Sequence, residues 1–128
     1  MRRLQHVSLP YPRGRQDDIR AFYGELLGLR EKPVPVTIAH LELVWFGAGA
    51  DELELHFLPD EVAPDPRARR HFCLEVDELD ELRSRLVQAG IETTDQEPIP
   101  NRPRFFASDP FGNLIEFTTI LGDYRGGI

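Results

Sequence analysis

The sequence predicts an α+β fold in which a βαβββ module occurs twice, so that two copies form a curved mixed sheet around a cleft. Each predicted helix ends at a glycine, Gly28 or Gly90, and a glutamate, Glu54 or Glu116, follows that glycine after 26 residues in both copies. A chain of 128 residues with 41% hydrophobic content is long enough for one compact core. We therefore expect a single domain over residues 1–128. Its parts are module one at about 4–58, a proline-rich joint at 59–69, module two at about 70–121 and a tail at 122–128.

Module one is predicted to contain one helix and four strands. Apolar residues recur at helical spacing after Asp17, a typical N-cap residue, and Gly28 ends the run as a C′ glycine does. Alternating or β-branched stretches predict the strands, and the glycine-containing segment 47–51 predicts a turn before the last of them. The predicted strands are residues 4–9, 31–35, 37–46 and 52–58.

Module two repeats this order after a joint that contains three prolines and shows no periodicity. Its helix is predicted from four apolar residues at helical spacing, Leu79, Leu82, Leu86 and Val87, and it ends at Gly90. The predicted strands are residues 70–76, 91–94, 104–108 and 114–120, with a tight turn at 109–113.

Composition excludes several classes of partner. The formal net charge of −7 and the pI near 5 argue against nucleic acid, because nucleic-acid-binding proteins concentrate Lys and Arg on one face. No apolar run approaches the ~20 residues of a membrane span, and no signal-peptide pattern opens the chain. We therefore expect a cytoplasmic protein without membrane contact. Cys73 is the single cysteine, so no intrachain disulfide forms.

Metal-binding side chains recur on one face of four predicted strands. Because side chains alternate along a strand, each of these four residues lies opposite a helix-packing apolar face. The alternative is that these polar faces simply meet water. We favour a site, because every one of these strands contributes a side chain that can bind a metal. The four side chains are His6, Glu54, His71 and Glu116.

Four sequence features together resemble the vicinal oxygen chelate superfamily. They are His6 in the first strand, Leu53-Glu-Leu-His-Phe, Arg70-His-Phe-Cys-Leu-Glu-Val-Asp, and Asp109-Pro-Phe-Gly-Asn-Leu-Ile-Glu-Phe. That superfamily includes glyoxalase I, extradiol dioxygenases, fosfomycin-resistance thiol transferases and bleomycin-binding proteins. The resemblance covers residues 4–121 and implies the glyoxalase-like fold, but one scaffold serves several chemistries.

The resemblance implies that His6, Glu54, His71 and Glu116 bind a divalent metal, with Glu54 and Glu116 also catalytic. Two imidazoles with carboxylates suit Fe, Mn, Ni, Co or Zn. Four ligands imply a glyoxalase-like lyase or isomerase acting on a small oxygenated metabolite. Three ligands, two His and one carboxylate, imply a dioxygenase or thiol transferase. Two carboxylates about 4 Å apart would repel by ~4 kcal/mol, which a cation or one shared proton would relieve.

Three further residues, a competing function and an oligomeric state complete the predictions. His56, Arg102 and Arg104 are candidate substrate contacts, each with a plain structural alternative as a hydrogen-bonded histidine or a solvated loop arginine. The competing function is a metal-free binding module similar to bleomycin-binding proteins, whose acidic walls would attract a cationic ligand. We also expect a homodimer, because open βαβββ sheets leave unpaired edges.

Overall fold

A computed structural model of the protein describes residues 1–49 and 52–125 and shows the predicted α+β fold with two βαβββ modules. The chain divides into two compact units, Met1–Pro66 with Pro110–Asn113, and Arg67–Asp109 with Leu114–Ile128. The predicted turn at 47–51 and tail at 122–128 lie partly outside the described residues. The organisation as a single domain stays a prediction.

Module one forms a four-stranded mixed sheet in the order β1-β4-β3-β2. Strand β4 lies between its parallel partner β1 and its antiparallel partner β3. The helical elements come between β1 and β2 and between β2 and β3. The elements are β1 (His6–Tyr11), α1 (Gln16–Ile19) continuing into a π-helix (Arg20–Leu26), β2 (Arg30–Lys32), a 3-10 helix (Val36–Leu41), β3 (Val44–Gly47) and β4 (Glu54–Pro59).

The core of module one is aromatic. Phe57 on β4 is fully buried, and its ring centroid lies 4.6 Å from that of Tyr23 and 6.3 Å from that of Phe46. These rings cover the sheet face that alternation assigned to helix packing, so the polar side chains of β4 point to the opposite face. The π-helix ends as predicted, with Gly28 in the left-handed region at φ 77°.

Several predicted bounds in module one are wrong: β1 runs to Tyr11, β2 ends at Lys32, and two further assignments differ. The segment 37–46 is not one strand, because Val36–Leu41 forms a 3-10 helix and only Val44–Gly47 pairs with its neighbours. Proline at position 35 caps that helix, and Glu42 ends it in the left-handed conformation, which a continuous strand does not allow. The first helix begins at Gln16 with Arg15 at the N-cap, not Asp17, and no side chain makes a cap hydrogen bond.

Module two repeats the topology in the order β5-β8-β7-β6, with β5 and β8 parallel. Leu82 and Leu86 of its helix are buried with Ile115 and Phe117 of the last strand, whereas Val87, predicted to face the core, is 55% exposed. Gly90 follows the helix at φ 81°, as predicted. The elements are β5 (His71–Glu75), α2 (Leu79–Gln88), β6 (Thr93–Thr94), β7 (Arg104–Ser108) and β8 (Leu114–Thr118).

The strands of module two are shorter than predicted, apart from one that matches. The bounds of β7 agree with the prediction, whereas β6 is reduced to Thr93–Thr94 and β8 stops at Thr118.

No helix within residues 1–49 and 52–125 has the length and apolar character that crossing a bilayer requires.

Replacing Phe57 with alanine should lower the free energy of unfolding by about 3–5 kcal/mol, because the fully buried ring leaves a cavity among its aromatic neighbours. Leu58→Ala is the matched control on the same strand, where the side chain is 40% exposed and the loss should stay near ~0.5 kcal/mol. Urea unfolding of both variants checks this. Equal losses would show that the assignment of the β4 faces is wrong.

Candidate functional site

Glu54 is a buried carboxylate neutralised within module one. Its side chain is only 6% exposed, and it accepts hydrogen bonds from the Lys32 ammonium and from His56 Nε2, the latter at 2.9 Å. These two contacts, with Lys32 the larger cause, lower the pKa of Glu54 from its usual 4.5 to about 2. Glu54 is therefore ionised at neutral pH and does not need a metal for charge balance.

His56 lies in the middle of a stack of three rings. Its imidazole is 4.0 Å from the Trp45 ring at 7° and 4.0 Å from the His6 ring at 14°. Trp45 and His6 come from the strands on either side of β4, β3 and β1. An ionised carboxylate only accepts hydrogen bonds, so the His56 Nε2 that faces Glu54 carries a proton. His56 is thus arranged as a hydrogen-bond donor through Nε2 and not as a metal ligand.

The His6 ring is oriented through Nδ1, whereas the His56 ring is oriented through Nε2. Its Nδ1 lies 2.7 Å from the Gln5 side-chain oxygen, and Gln5 Nε2 donates to the Glu52 carbonyl at 2.7 Å, which orients the amide. His6 Nδ1 therefore donates, and Nε2 keeps its lone pair. Metal-binding histidines are commonly oriented by such a hydrogen bond from the second ring nitrogen.

Glu116 is the corresponding carboxylate of module two. Its side chain is 13% exposed, and its two oxygens lie 3.0 Å from His71 Nε2 and 3.3 Å from Arg104 Nη1. Arg104 also donates from Nη2 to the Glu97 carbonyl at 2.7 Å, while its buried Nε lacks a partner among the described residues. Arg104, predicted as a substrate contact, is thus engaged with Glu116.

His71 faces acceptors with both ring nitrogens. Nδ1 lies 2.8 Å from the Arg69 carbonyl oxygen, and Nε2 lies 3.0 Å from Glu116 Oε1. The carbonyl contact requires the proton on Nδ1, so a neutral ring directs the Nε2 lone pair at the carboxylate. A second proton or a cation shared by the two atoms would make that contact favourable.

The two histidines are not at equivalent register, although the sequence spacing predicted matched positions. His6 pairs with Glu54 across β1 and β4, whereas Cys73, and not His71, pairs with Glu116 across β5 and β8. His71 is two residues away along β5, opposite Leu114, and its side chain still reaches Glu116. The shift therefore lies in the strand pairing.

Local contacts explain Arg102, which was predicted as a substrate contact, and the chemistry of Cys73, the single cysteine. Arg102 Nη1 bonds the carbonyl oxygens of Asn101 and Gly122, and its guanidinium lies 5.7 Å from the Tyr124 ring centroid, so Arg102 holds the C-terminal segment. For Cys73, burial of the thiol and then the charge of Glu116 raise the pKa to about 11. A thiol of this kind is protonated at neutral pH and is a poor nucleophile.

No sequence pattern predicted Lys32 or Trp45 at the site. Lys32 is the sole lysine of the chain and Trp45 its sole tryptophan. Both meet the site through strand register, since Lys32 pairs with Trp45 and Trp45 with His56. A short strand such as β2 has no periodicity from which that register could be read.

The donor types and tautomers fit a divalent metal, although no complete ligand set is grouped. No cluster of three or more His, Cys, Asp or Glu side chains arranged to hold an ion occurs within residues 1–49 and 52–125. His6 and His71 each have Nδ1 committed to an oxygen acceptor, the arrangement that leaves Nε2 to bind a metal. The separation of 3.0 Å between His71 Nε2 and Glu116 Oε1 also equals that of adjacent ligands about 2.1 Å from one ion.

Comparison with known proteins decides the family. The family model described as Glyoxalase/Bleomycin resistance protein/Dioxygenase superfamily matches residues 3–117. The chain belongs to this superfamily. A glyoxalase family protein from Bacillus anthracis is 34% identical, with 94% of this chain and 96% of that chain covered and a TM-score of 0.82. No curated protein sequence gives a significant match.

Two more distant solved structures share the fold. A mutant of FosX, a fosfomycin resistance protein from Listeria monocytogenes, complexed with Mn(II) and 1S,2S-dihydroxypropylphosphonic acid, is 16% identical at a TM-score of 0.78, covering 98% of this chain and 95% of that one. TnmS3, an antibiotic-binding protein from Streptomyces sp. CB03234, is 21% identical at 0.72, covering 94% and 97%. The same fold thus occurs in a protein crystallised with a metal and in one that binds an antibiotic.

The stability that ionised Glu54 contributes should be lost in acid. A carboxyl group whose pKa is lowered on folding stabilises the protein above its unfolded pKa, and the contribution fades as the pH falls through the folded value. For chelator-treated protein we expect the difference in unfolding free energy between wild type and Glu54→Gln to shrink from about pH 4.5 to about pH 2. Urea unfolding across this range measures it, with Glu75→Gln, an exposed carboxylate on β5, as control for loss of a charge. A difference independent of pH contradicts the Lys32 contact.

Proposed function

We propose that the protein is a metal-dependent vicinal-oxygen-chelate enzyme, a glyoxalase-like lyase or isomerase that acts in the cytoplasm on a small oxygenated metabolite. His6, His71 and Glu116 are the proposed core ligands, and Glu54 is the fourth ligand or the catalytic base. The observation that carries the proposal is that both histidines have Nδ1 bonded to an oxygen acceptor, 2.7 Å away at His6 and 2.8 Å at His71. His6 therefore keeps the Nε2 lone pair, and at His71 a metal would take the place of the proton between Nε2 and Glu116.

The metal, which is Fe, Mn, Ni, Co or Zn in this proposal, would supply Lewis-acid stabilisation of charge that develops on adjacent substrate oxygens. The protein orients the two histidine rings that would bind the metal. Gln5 and the Arg69 carbonyl fix the rings of His6 and His71, so neither imidazole has to reorient when it binds. The low exposure of Glu54 and Glu116, 6% and 13%, limits competition from water.

Proton transfer is the second task of the carboxylates. A general base works best when its pKa is near the working pH, and Glu54 is held at about 2 by Lys32 and His56. Glu54 can take up a proton readily only if those donors move away from it. Glu116 lies 3.0 Å from His71 Nε2, a distance at which the two atoms can share a proton, and it is the residue to which we assign the proton transfer if Glu54 is a ligand.

The alternative metal-dependent hypothesis is a three-ligand site. If Glu54 stays with Lys32, two histidines and one carboxylate remain, the donor set typical of dioxygenase-like and thiol-transferase-like members. FosX, which adopts the same fold in a crystal with Mn(II), supports a bound metal in either case. The substrate class, a small molecule with neighbouring oxygens, is the same in both readings.

Protein purified without a tag and supplemented with Mn(II) or Zn(II) should retain a divalent ion after desalting, measured by elemental analysis. His71→Ala should lose the ion, whereas His40→Ala should keep it because His40 lies exposed on the 3-10 helix. Gln5→Leu should weaken binding by about 10- to 100-fold through loss of the His6 anchor. Wild-type protein that retains no ion overturns the enzyme proposal.

A metal-free binding module is the second candidate, and one observation favours it. Each carboxylate already has a basic partner within its own module, Lys32 for Glu54 and Arg104 for Glu116. In this reading the Trp45, His56 and His6 rings provide an aromatic wall for a cationic or aromatic ligand. Ligand binding that survives chelator and weakens with salt supports it, and binding abolished by chelator excludes it.

We further propose a homodimer, since β1, β2, β5 and β6 are edge strands of the two sheets. Light scattering at micromolar concentration should then give twice the chain mass of 14.7 kDa. A mass that stays at that of one chain as the concentration rises contradicts the assembly without bearing on the metal site.

A further inference from the structure

Two buried side-chain N–H donors have no hydrogen-bond partner within residues 1–49 and 52–125, Trp45 Nε1 and Arg104 Nε. They occupy the same register position in the two modules. Trp45 on β3 and Arg104 on β7 each pair with the residue two positions after the carboxylate of their own module that was predicted to bind metal. A buried donor without a partner is rare, because it has given up water without replacing it. Its recurrence at one position of the repeat indicates a donor that serves a ligand.

The Trp45 side chain is oriented by its neighbours within module one. Its indole stacks on the His56 ring, with the centroids 4.0 Å apart and the planes 7° from parallel. Lys32 pairs with Trp45 from β2, so both side chains leave the same face of the sheet. The stack restrains the plane of the indole, and with it the plane in which the Nε1–H bond lies.

Lys32 brings an ammonium to the same place. A Cβ at Gly47, two residues after Trp45 on the same face of β3, would lie 3.7 Å from Lys32 Cδ, so the lysine stem crosses this face over the glycine. The bond to Glu54 uses one of the three N–H donors that an ammonium carries. The indole and the ammonium are both donors without a lone pair. Together they form a donor corner, defined by Trp45 and Lys32, that suits an incoming oxygen.

Glu54 leaves this corner open to an anion. Its charge is balanced by hydrogen bonds from Lys32 and His56. The Lys32 side chain is 26% exposed and that of Glu54 only 6%, so the ammonium is the member of the ion pair that a solute reaches. One ammonium can donate to two anionic oxygens at once, because its three N–H groups point in different directions.

We infer that Trp45 Nε1 and the Lys32 ammonium bind an oxyanion of the ligand, a carboxylate or a phosphonate, so that the ligand is a small oxygenated acid. This inference rests on the proposed function only in taking the ligand to be a small oxygenated molecule. It requires no metal and no residue outside module one. Nε1 is closed to solvent in the free chain, so a neighbouring side chain moves aside when the oxyanion binds, and the long, flexible Lys32 stem is able to do so.

NMR spectroscopy of the whole chain tests the inference, because the sole tryptophan gives a single indole N–H resonance. The probes are glycolate, hydroxymethylphosphonate and ethylene glycol, which all carry neighbouring oxygens and differ in charge and acidic group. In chelator, at least one acid should move the resonance downfield to saturation, since a hydrogen bond to an oxyanion deshields the proton. The neutral diol should leave it in place. A response to one acid alone identifies the acidic group that the corner prefers.

Replacing the indole N–H tests the donor itself. Benzothienylalanine, supplied to a tryptophan auxotroph, puts sulfur in place of N–H at position 45 alone, and 4-fluorotryptophan is the matched control that keeps N–H. Calorimetry should show that the sulfur analogue binds the acid about 10- to 100-fold more weakly, because a hydrogen bond to a charged acceptor is lost. In urea the sulfur analogue should be at least as stable as the control, because it removes a buried donor that has no partner.

The contribution of the ammonium is measured with Lys32→Met, which should weaken binding of the acid by about tenfold or more. Arg30→Met removes the same charge from an exposed position on β2 and should change the affinity by less than about twofold. If Lys32→Met fails to fold, Lys32→Gln replaces it, since glutamine also lacks the charge.

Three outcomes overturn the inference. One is an indole resonance that none of the three probes moves. Another is an equal response to the neutral diol, which shows that the corner does not select an oxyanion. The third is a sulfur analogue less stable than its control, which shows that Nε1 already has a partner in the free chain. All three measurements are made in chelator, so they are separate from the metal retention that tests the proposed function.

Discussion

The ion pair between Lys32 and Glu54 is the interaction on which the polar face of module one depends. A carboxylate removed from water is costly unless donors replace its hydration, and β4 places Glu54 on the interior strand of its sheet. Lys32 from β2 and His56 from β4 itself supply those donors. Because His56 is committed to Glu54, its ring is fixed between Trp45 and His6, and the stack joins three adjacent strands.

In module two, different side chains pair with the corresponding carboxylate, Glu116. Glu116 has an arginine in place of the lysine and a histidine from the neighbouring parallel strand in place of one from its own strand. The difference follows from register, because β5 is shifted by two residues relative to the arrangement of β1. Two modules with one topology therefore hold their carboxylates with different partners, and the arginine contact of Glu116 is 3.3 Å long.

The superfamily assignment narrows the chemistry without choosing a reaction. One scaffold serves isomerases, dioxygenases, transferases and binding proteins, since function depends on side chains placed on the sheets. In this chain the informative atoms are the ring nitrogens. At His6 and His71 an oxygen acceptor contacts Nδ1, whereas at His56 the Glu54 carboxylate contacts Nε2. These contacts distinguish the two predicted metal ligands from His56, which was predicted as a substrate contact.

The sequence by itself determined the repeat, the βαβββ order and the faces of the long strands. Glycines at equivalent positions end the helices, and strict alternation places Phe57 and Glu54 on opposite faces of β4. Those features are local and have a period, so one chain suffices to read them. Segment 37–46 was misassigned because its 3-10 helix depends on Pro35 and on the left-handed Glu42, whose effects alternation does not register. Only the tertiary structure decided that Lys32 reaches Glu54 over Gly47, that Arg104 pairs with Glu116, and that the histidines differ in register. These contacts join residues on different strands, and strand register is set by packing that no local pattern encodes.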